Sequence, residues 1–165
     1  MISKFLSGAA LAGCLLVGAA NTASAGENEA LAAWKAQCGK MVSQTMNYPR
    51  AIVPLPDDHN VVEAVIDRSG RVFEARLVEK GNRQIFDRAS EAFARKLRSL
   101  PPLPDDFAAE RAVVRMHLVY ADNERQAAGL TQKVLAAAAT ETTRTVEIEG
   151  VKFAGVPVID LLGGS

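Results

Sequence analysis

Val61-Val62-Glu63-Ala64-Val65-Ile66-Asp67-Arg68-Ser69-Gly70-Arg71-Val72-Phe73-Glu74-Ala75-Arg76-Leu77-Val78 is the stretch on which the fold turns. Its opening run is rich in β-branched residues, which suit a pleated, half-buried surface. Asp67-Arg68-Ser69-Gly70 then offers turn formers, with a glycine free to take positive φ. From Arg71 the chain alternates, with Phe73, Ala75 and Leu77 on one face and Glu74 and Arg76 on the other. Two strands joined by a tight turn, a β-hairpin, are the expected outcome.

Working outward, residues 29–44 lack proline and carry Leu31, Trp34, Cys38, Met41 and Val42 at helical spacing. That first helix stops at Asn47-Tyr48-Pro49, because proline disfavours the α region for the residue before it. Pro54, Pro56 and Asp57-Asp58 make a loop into the hairpin. After Gly81-Asn82, Ile85, Ala89, Phe93 and Leu97 form the stripe of a second helix over residues 83–98. Leu100-Pro101-Pro102-Leu103-Pro104 ends it, since prolines neither donate backbone hydrogen bonds nor continue the helix. In residues 112–120, Val114, Met116, Leu118 and Tyr120 alternate with Val113, Arg115, His117 and Val119, the pattern of a third strand.

This order predicts an α+β domain over residues 29–121, a small three-stranded antiparallel sheet packed against two helices. Residues 122–165 read as a flexible Ala/Thr/Gly-rich tail, partly helical or disordered. Within it residues 127–139 are alanine-rich, and Val146-Glu147-Ile148-Glu149-Gly150-Val151-Lys152-Phe153 has the composition of a small hairpin or an added strand.

The first 25 residues read as an export signal: Lys4, an apolar run from Phe5 to Ala20 too short to span a bilayer, and small residues at Ala23 and Ala25 for cleavage. Two alternatives stand beside cleavage. Leu11-Ala12-Gly13-Cys14 resembles a lipobox, in which Cys14 is lipidated, and an uncleaved leader would anchor the chain. The expected location is the periplasm, with membrane contact only through a lipidated or retained N-terminus. Cys38, the other cysteine, reads as a buried thiol or as the link of a homodimer.

Acidic and basic residues balance at 19 each, so neither a nucleic acid nor an anionic membrane is implied as partner. The two histidines, His59 and His117, are far apart in sequence and show no metal-ligand spacing. No nucleophile elbow, activated cysteine or phosphate-cradling loop is present. The reading is therefore a protein that binds rather than catalyses, with no cofactor.

Several strings resemble the TonB C-terminal domain family over residues 34–120. They are Tyr48-Pro49-Arg50-Ala51, Ile66-Asp67-Arg68-Ser69-Gly70-Arg71-Val72, Gly81-Asn82 before Phe86-Asp87-Arg88-Ala89, and Leu100-Pro101-Pro102-Leu103-Pro104. The related TolA domain shares this layout. The resemblance implies a periplasmic adapter linked to energy transduction and TonB-dependent transport, which binds an extended segment of an outer-membrane receptor or other envelope protein at a sheet edge. It places partner contacts at Ser43, Gln44, Thr45, Met46, Asn47 and Tyr48, and along the third strand at Val113, Arg115, His117 and Val119. An exposed strand border suits such binding physically, because its unpaired N–H and C=O groups are satisfied by an incoming strand. The alternative is a structural or TolA-like envelope component that recognises no peptide. Neither the membrane anchor nor the long proline-rich span of a complete TonB stands between the leader and residue 31. Finally, Glu141-Thr142-Thr143-Arg144-Thr145-Val146 resembles a TonB box, which suggests docking on the domain's own edge or on another copy.

Overall fold

The computed structural model describes residues 22–49, 56–138 and 143–164. In chain order the elements are α1 (Thr22–Thr45), β1 (Asp58–Asp67), β2 (Val72–Glu79), α2 (Gln84–Lys96), β3 (Arg111–Tyr120), α3 (Glu124–Ala138), β4 (Thr143–Ile148) and β5 (Val151–Gly164). Cys14, Arg50, Ala51 and Pro54 lie outside the described residues, whereas Ala23 and Ala25 fall in the first turns of α1.

The hairpin forms as its sequence requires. Asp67 Oδ1 accepts hydrogen bonds from the Ser69 and Arg71 amides and from the Ser69 hydroxyl. Those bonds, the Ser69 hydroxyl first, hold the Asp67 carboxyl below its ordinary range. Gly70 takes φ +83°, and a Cβ there would collide with the Leu100 carbonyl oxygen, so the turn and the proline-rich loop demand the same glycine. That loop is strapped down: the Leu100 amide donates to Gly70, the Leu103 amide to Arg68, and the Trp34 indole N–H to the Pro101 carbonyl at 3.0 Å.

The sheet corrects the expectation of three antiparallel strands against two helices. Five strands run in the order β2-β1-β3-β5-β4 and form a mixed sheet, with three helices among the described residues. β1 pairs antiparallel with β2 and β3, β5 pairs parallel with β3, and β4 pairs antiparallel with β5. The two additional strands come from the segment read as a tail. Glu149 and Gly150 both take positive φ, 51° and 81°, which makes the two-residue turn of a β4–β5 hairpin. The second half of β5, Val158-Ile159-Asp160-Leu161-Leu162-Gly163-Gly164, barely alternates. Parallel strands covered on both faces carry near-continuous apolar runs, so the period-two signal used for the other strands is missing here.

Alternation sorts the two faces. Val62, Ala64 and Ile66 of β1, Val114, Met116, Leu118 and Tyr120 of β3, and Ile159 and Leu161 of β5 join the main core with Trp34, Cys38 and Val42 of α1. Cys38 is fully buried and unpaired, and burial pushes its thiol up to about 12. α1 lies close on β5 because two glycines meet the facing element: a Cβ on Gly39 would stand 2.8 Å from the Leu162 oxygen, and one on Gly163 2.5 Å from Val42. In α2 the buried stripe is Phe86, Ser90, Phe93 and Ala94, continued by Leu97, while Ile85 is exposed. The expected stripe is thus rotated by about one residue at its start, because Ser90 enters the core on a 2.9 Å hydrogen bond with the Tyr120 hydroxyl.

On the opposite, outer face, Val113, Val146 and Val156 make a second small core, with Val65, Ile148, Phe153 and Val158 packed against it. The Arg111 guanidinium lies 3.9 Å from the centroid of the Phe153 ring and fixes this corner by cation–π contact. The sheet therefore curls, carrying the β4–β5 hairpin over its own outer face.

Candidate functional site: a polar groove on the outer face

The side chains of β1 and β3 that point away from the main core are His59, Val61, Glu63 and Val65, and Val113, Arg115, His117 and Val119. Cross-strand register sets Glu63 opposite Arg115. The Glu63 carboxylate, 6% exposed, accepts from Arg115 Nε and Nη2 at 3.3 and 3.2 Å and from Arg144 Nη1 at 2.6 Å on both oxygens. Arg144 comes from β4, so the buried acid draws the hairpin onto the sheet.

One diagonal step away, the rings of His59 and His117 stack with centroids 5.3 Å apart and planes 8° from parallel. His117 Nε2 lies 3.0 Å from Asp160 Oδ1 on β5, and His117 Nδ1 lies 3.1 Å from His59 Nε2. An ionised carboxylate only accepts, so His117 Nε2 carries the proton that it donates to Asp160; with neutral rings His117 Nδ1 then accepts from His59 Nε2–H. The bonds form one directed chain from β1 through β3 to β5. Burial, and secondly the neighbouring His117 ring, lower the affinity of His59 for a proton; Glu79 and Asp58 oppose them. Among the described residues no group of three or more His, Cys, Asp or Glu side chains is arranged to hold a metal ion.

Over these residues opens a pocket of about 770 Å³, walled by residues that include Arg76, Leu77, Val78 and Glu79 of β2, Lys133 and Val134 of α3, and Arg144 of β4. A narrower cavity of about 230 Å³ shares Glu63, Arg76 and Arg144 with it and adds Glu74, Thr145 and Glu147. The two make a groove along the outer face. Its walls come from β2 and β4, the two border strands of the curled sheet, and at the wide end from α3 as well. Among known proteins, no family model, curated protein or solved structure matches the chain.

The sequence-derived contact residues divide sharply. Arg115 and His117 line the wide end of the groove, Val113 its narrow end, and Val119 shares their face. Their backbone does not form an open border: residues 113–119 pair with 158–164 on one side and with β1 on the other. The border foreseen for a visiting strand is held by the chain's own β5, so these residues offer a face rather than an edge. β4, which contains most of the TonB-box-like string, pairs with β5 and not with β3.

Ser43, Gln44, Thr45, Met46, Asn47 and Tyr48 stand apart from the groove. Met46 is buried in the main core, Gln44, Thr45 and Asn47 are exposed, and Ser43 is half-buried. Tyr48 stacks edge-on to Phe86 and donates to Asp122 Oδ1 at 2.7 Å, which pins the chain after α1. Reading the sequence alone missed Asp160, Arg144 and Lys133, all in the segment taken as a tail. It also missed Asp58, whose carboxylate accepts from the Asn82 and Arg83 amides and so orders the approach to α2.

Proposed function

We propose that this protein is a non-enzymatic, exported adapter of the cell envelope that binds an extended segment of a partner protein in the outer-face groove, as an added strand on the border of β2. The observation that carries this reading is that, among the described residues, β2 pairs with a strand on one side only, the Val72 amide at its start donating to Arg98, and that its residues 76–79 also wall the groove. A visiting strand satisfies the unpaired backbone groups of such a border, and its alternate side chains then point into the groove. The leader-like sequence of residues 1–25 supports export to the periplasm, and the resemblance of residues 34–120 to TonB C-terminal domains supports recognition of an extended peptide, such as that of an outer-membrane receptor. The border differs from the one that the resemblance alone suggests, because β5 is built into the core under α1 through Ile159 and Leu161.

Amide hydrogen exchange tests the reading. Peptides of TonB-box type and peptides from periplasmic loops of envelope proteins are added in turn, and protection is followed residue by residue. New protection along β2 is the expected result. Protection on β3 with concurrent loss on β5 would indicate strand replacement instead, and no change with any peptide favours a purely structural envelope component.

A further inference from the structure

We propose that the wide end of the groove is a carboxylate subsite, into which the bound segment directs an acidic side chain or its own terminal carboxylate. Such a subsite rests on the groove as the binding place and adds the chemistry that it selects. Among the described residues, four cationic side chains line the wide end, Arg76, Arg115, Lys133 and Arg144, against two carboxylates, Glu63 and Glu79. The narrow end is biased the other way, with Glu63, Glu74 and Glu147 against Arg76 and Arg144. The groove is thus electrically polarised along its length, and a negative group is favoured at one end alone.

The cations of the wide end are not equivalent. Arg115 and Arg144 converge on the buried Glu63 and hold it in place. Arg76 and Lys133 come from different elements, β2 and α3, and both are exposed. Arg76 meets Glu74 at 3.9 Å, with both side chains more than half exposed, an ion pair of the weakly held surface kind. A guanidinium that exchanges such a contact for a carboxylate inside a concave wall gains a stronger, charge-assisted hydrogen bond. Val61, Val78 and Val134 add apolar surface around this end, which suits the stem of a glutamate more than a small hydrated anion.

Three fluorescently labelled extended peptides of alternating Thr and Val form the test. One carries a central Glu with blocked ends, one carries Gln there with blocked ends, and one carries Gln with a free C-terminal carboxylate. Anisotropy titrations at low salt are run on the full protein and on a double Arg76→Gln, Lys133→Gln variant, whose substitutions are both on exposed side chains. The Glu peptide or the free-carboxylate peptide is expected to bind about tenfold more tightly than the blocked Gln peptide, and the stronger of the two names the source of the carboxylate. In the variant that preference falls to near unity. Equal affinity for all three, with protection of β2 amides intact, overturns the subsite and leaves the groove reading standing. Preference for a carboxylate that survives in the variant also overturns it. Binding of none of the three, with β2 amides unprotected, removes both.

Discussion

Nε2 of His117 stands 3.0 Å from Oδ1 of Asp160, so β3 holds β5 through a side-chain bond as well as through their parallel backbone ladder. The His117 side chain is only 7% exposed. Replacing Asp160 with Ala leaves that N–H buried without this acceptor, at an expected cost of about 1–3 kcal/mol. Asp160→Asn keeps an acceptor oxygen and is expected to cost less. Urea denaturation reads the difference as a lower midpoint at unchanged slope; an unshifted midpoint for the Ala variant would contradict the role given to this bond.

The stacked histidines make stability depend on pH with a definite sign. His59 is held below the ordinary histidine value of about 6.5, by burial first and the His117 ring second, so the unfolded chain binds a proton at that site more readily than the folded one. The contribution of His59 is complete above about pH 6.5 and is lost as pH falls through its lowered folded value. Denaturation midpoints measured from neutral to mildly acidic pH are expected to fall, and to fall less in His59→Gln. A proton-NMR titration that placed the His59 midpoint above the ordinary value would reverse the sign.

Glu63 is the joint between the sheet and the β4–β5 hairpin. In Glu63→Ala the Arg115 and Arg144 guanidiniums both lose the carboxylate on which they converge, at an expected cost of about 1.5–3 kcal/mol. In Arg144→Ala the buried Glu63 carboxylate keeps its contact with Arg115, so that change is expected to cost less. Thermal unfolding of the two single variants tests that order.

Two glycines should respond in opposite directions to the same change. Gly39→Ala places a Cβ 2.8 Å from the Leu162 carbonyl oxygen, a backbone atom that cannot swing aside, and is expected to destabilise by about 1–3 kcal/mol. Gly129 stands within α3, where an added methyl would have nothing inside 4 Å, so Gly129→Ala is expected to stabilise by about 0.5–1 kcal/mol. Melting temperatures of the pair, read side by side, check both signs.

What the sequence disclosed followed from local signals. The β1–β2 turn, α2 and the two faces of β3 were legible because each carries a short-range period or a turn residue of fixed use, from Asp67 and Gly70 to the alternation ending at Tyr120. β5 was not legible, since a parallel strand roofed by α1 presents Ile159, Leu161 and Leu162 as an apolar run with Asp160 alone to mark its outward side. The groove shared that fate. His59 and His117 are 58 positions apart and meet only through the β1–β3 register, and Arg144 reaches Glu63 across 81 positions, distances at which no spacing rule operates.

The parallel ladder between β3 and β5 has a kinetic side. The β1–β2 hairpin closes over a handful of residues, whereas Val113 must find Val158, about 45 positions later in the chain. Contacts of such separation form slowly, because the loop between them must be ordered before any pairing rewards it. The β1–β3 ladder reaches as far, from residue 67 to 111 and from 58 to 120, so a newly made molecule is expected to close its two hairpins before either long ladder, with bare strand borders of the kind on which chains aggregate. Its yield on refolding should fall with rising protein concentration, and a chaperone that shields extended backbone would raise it.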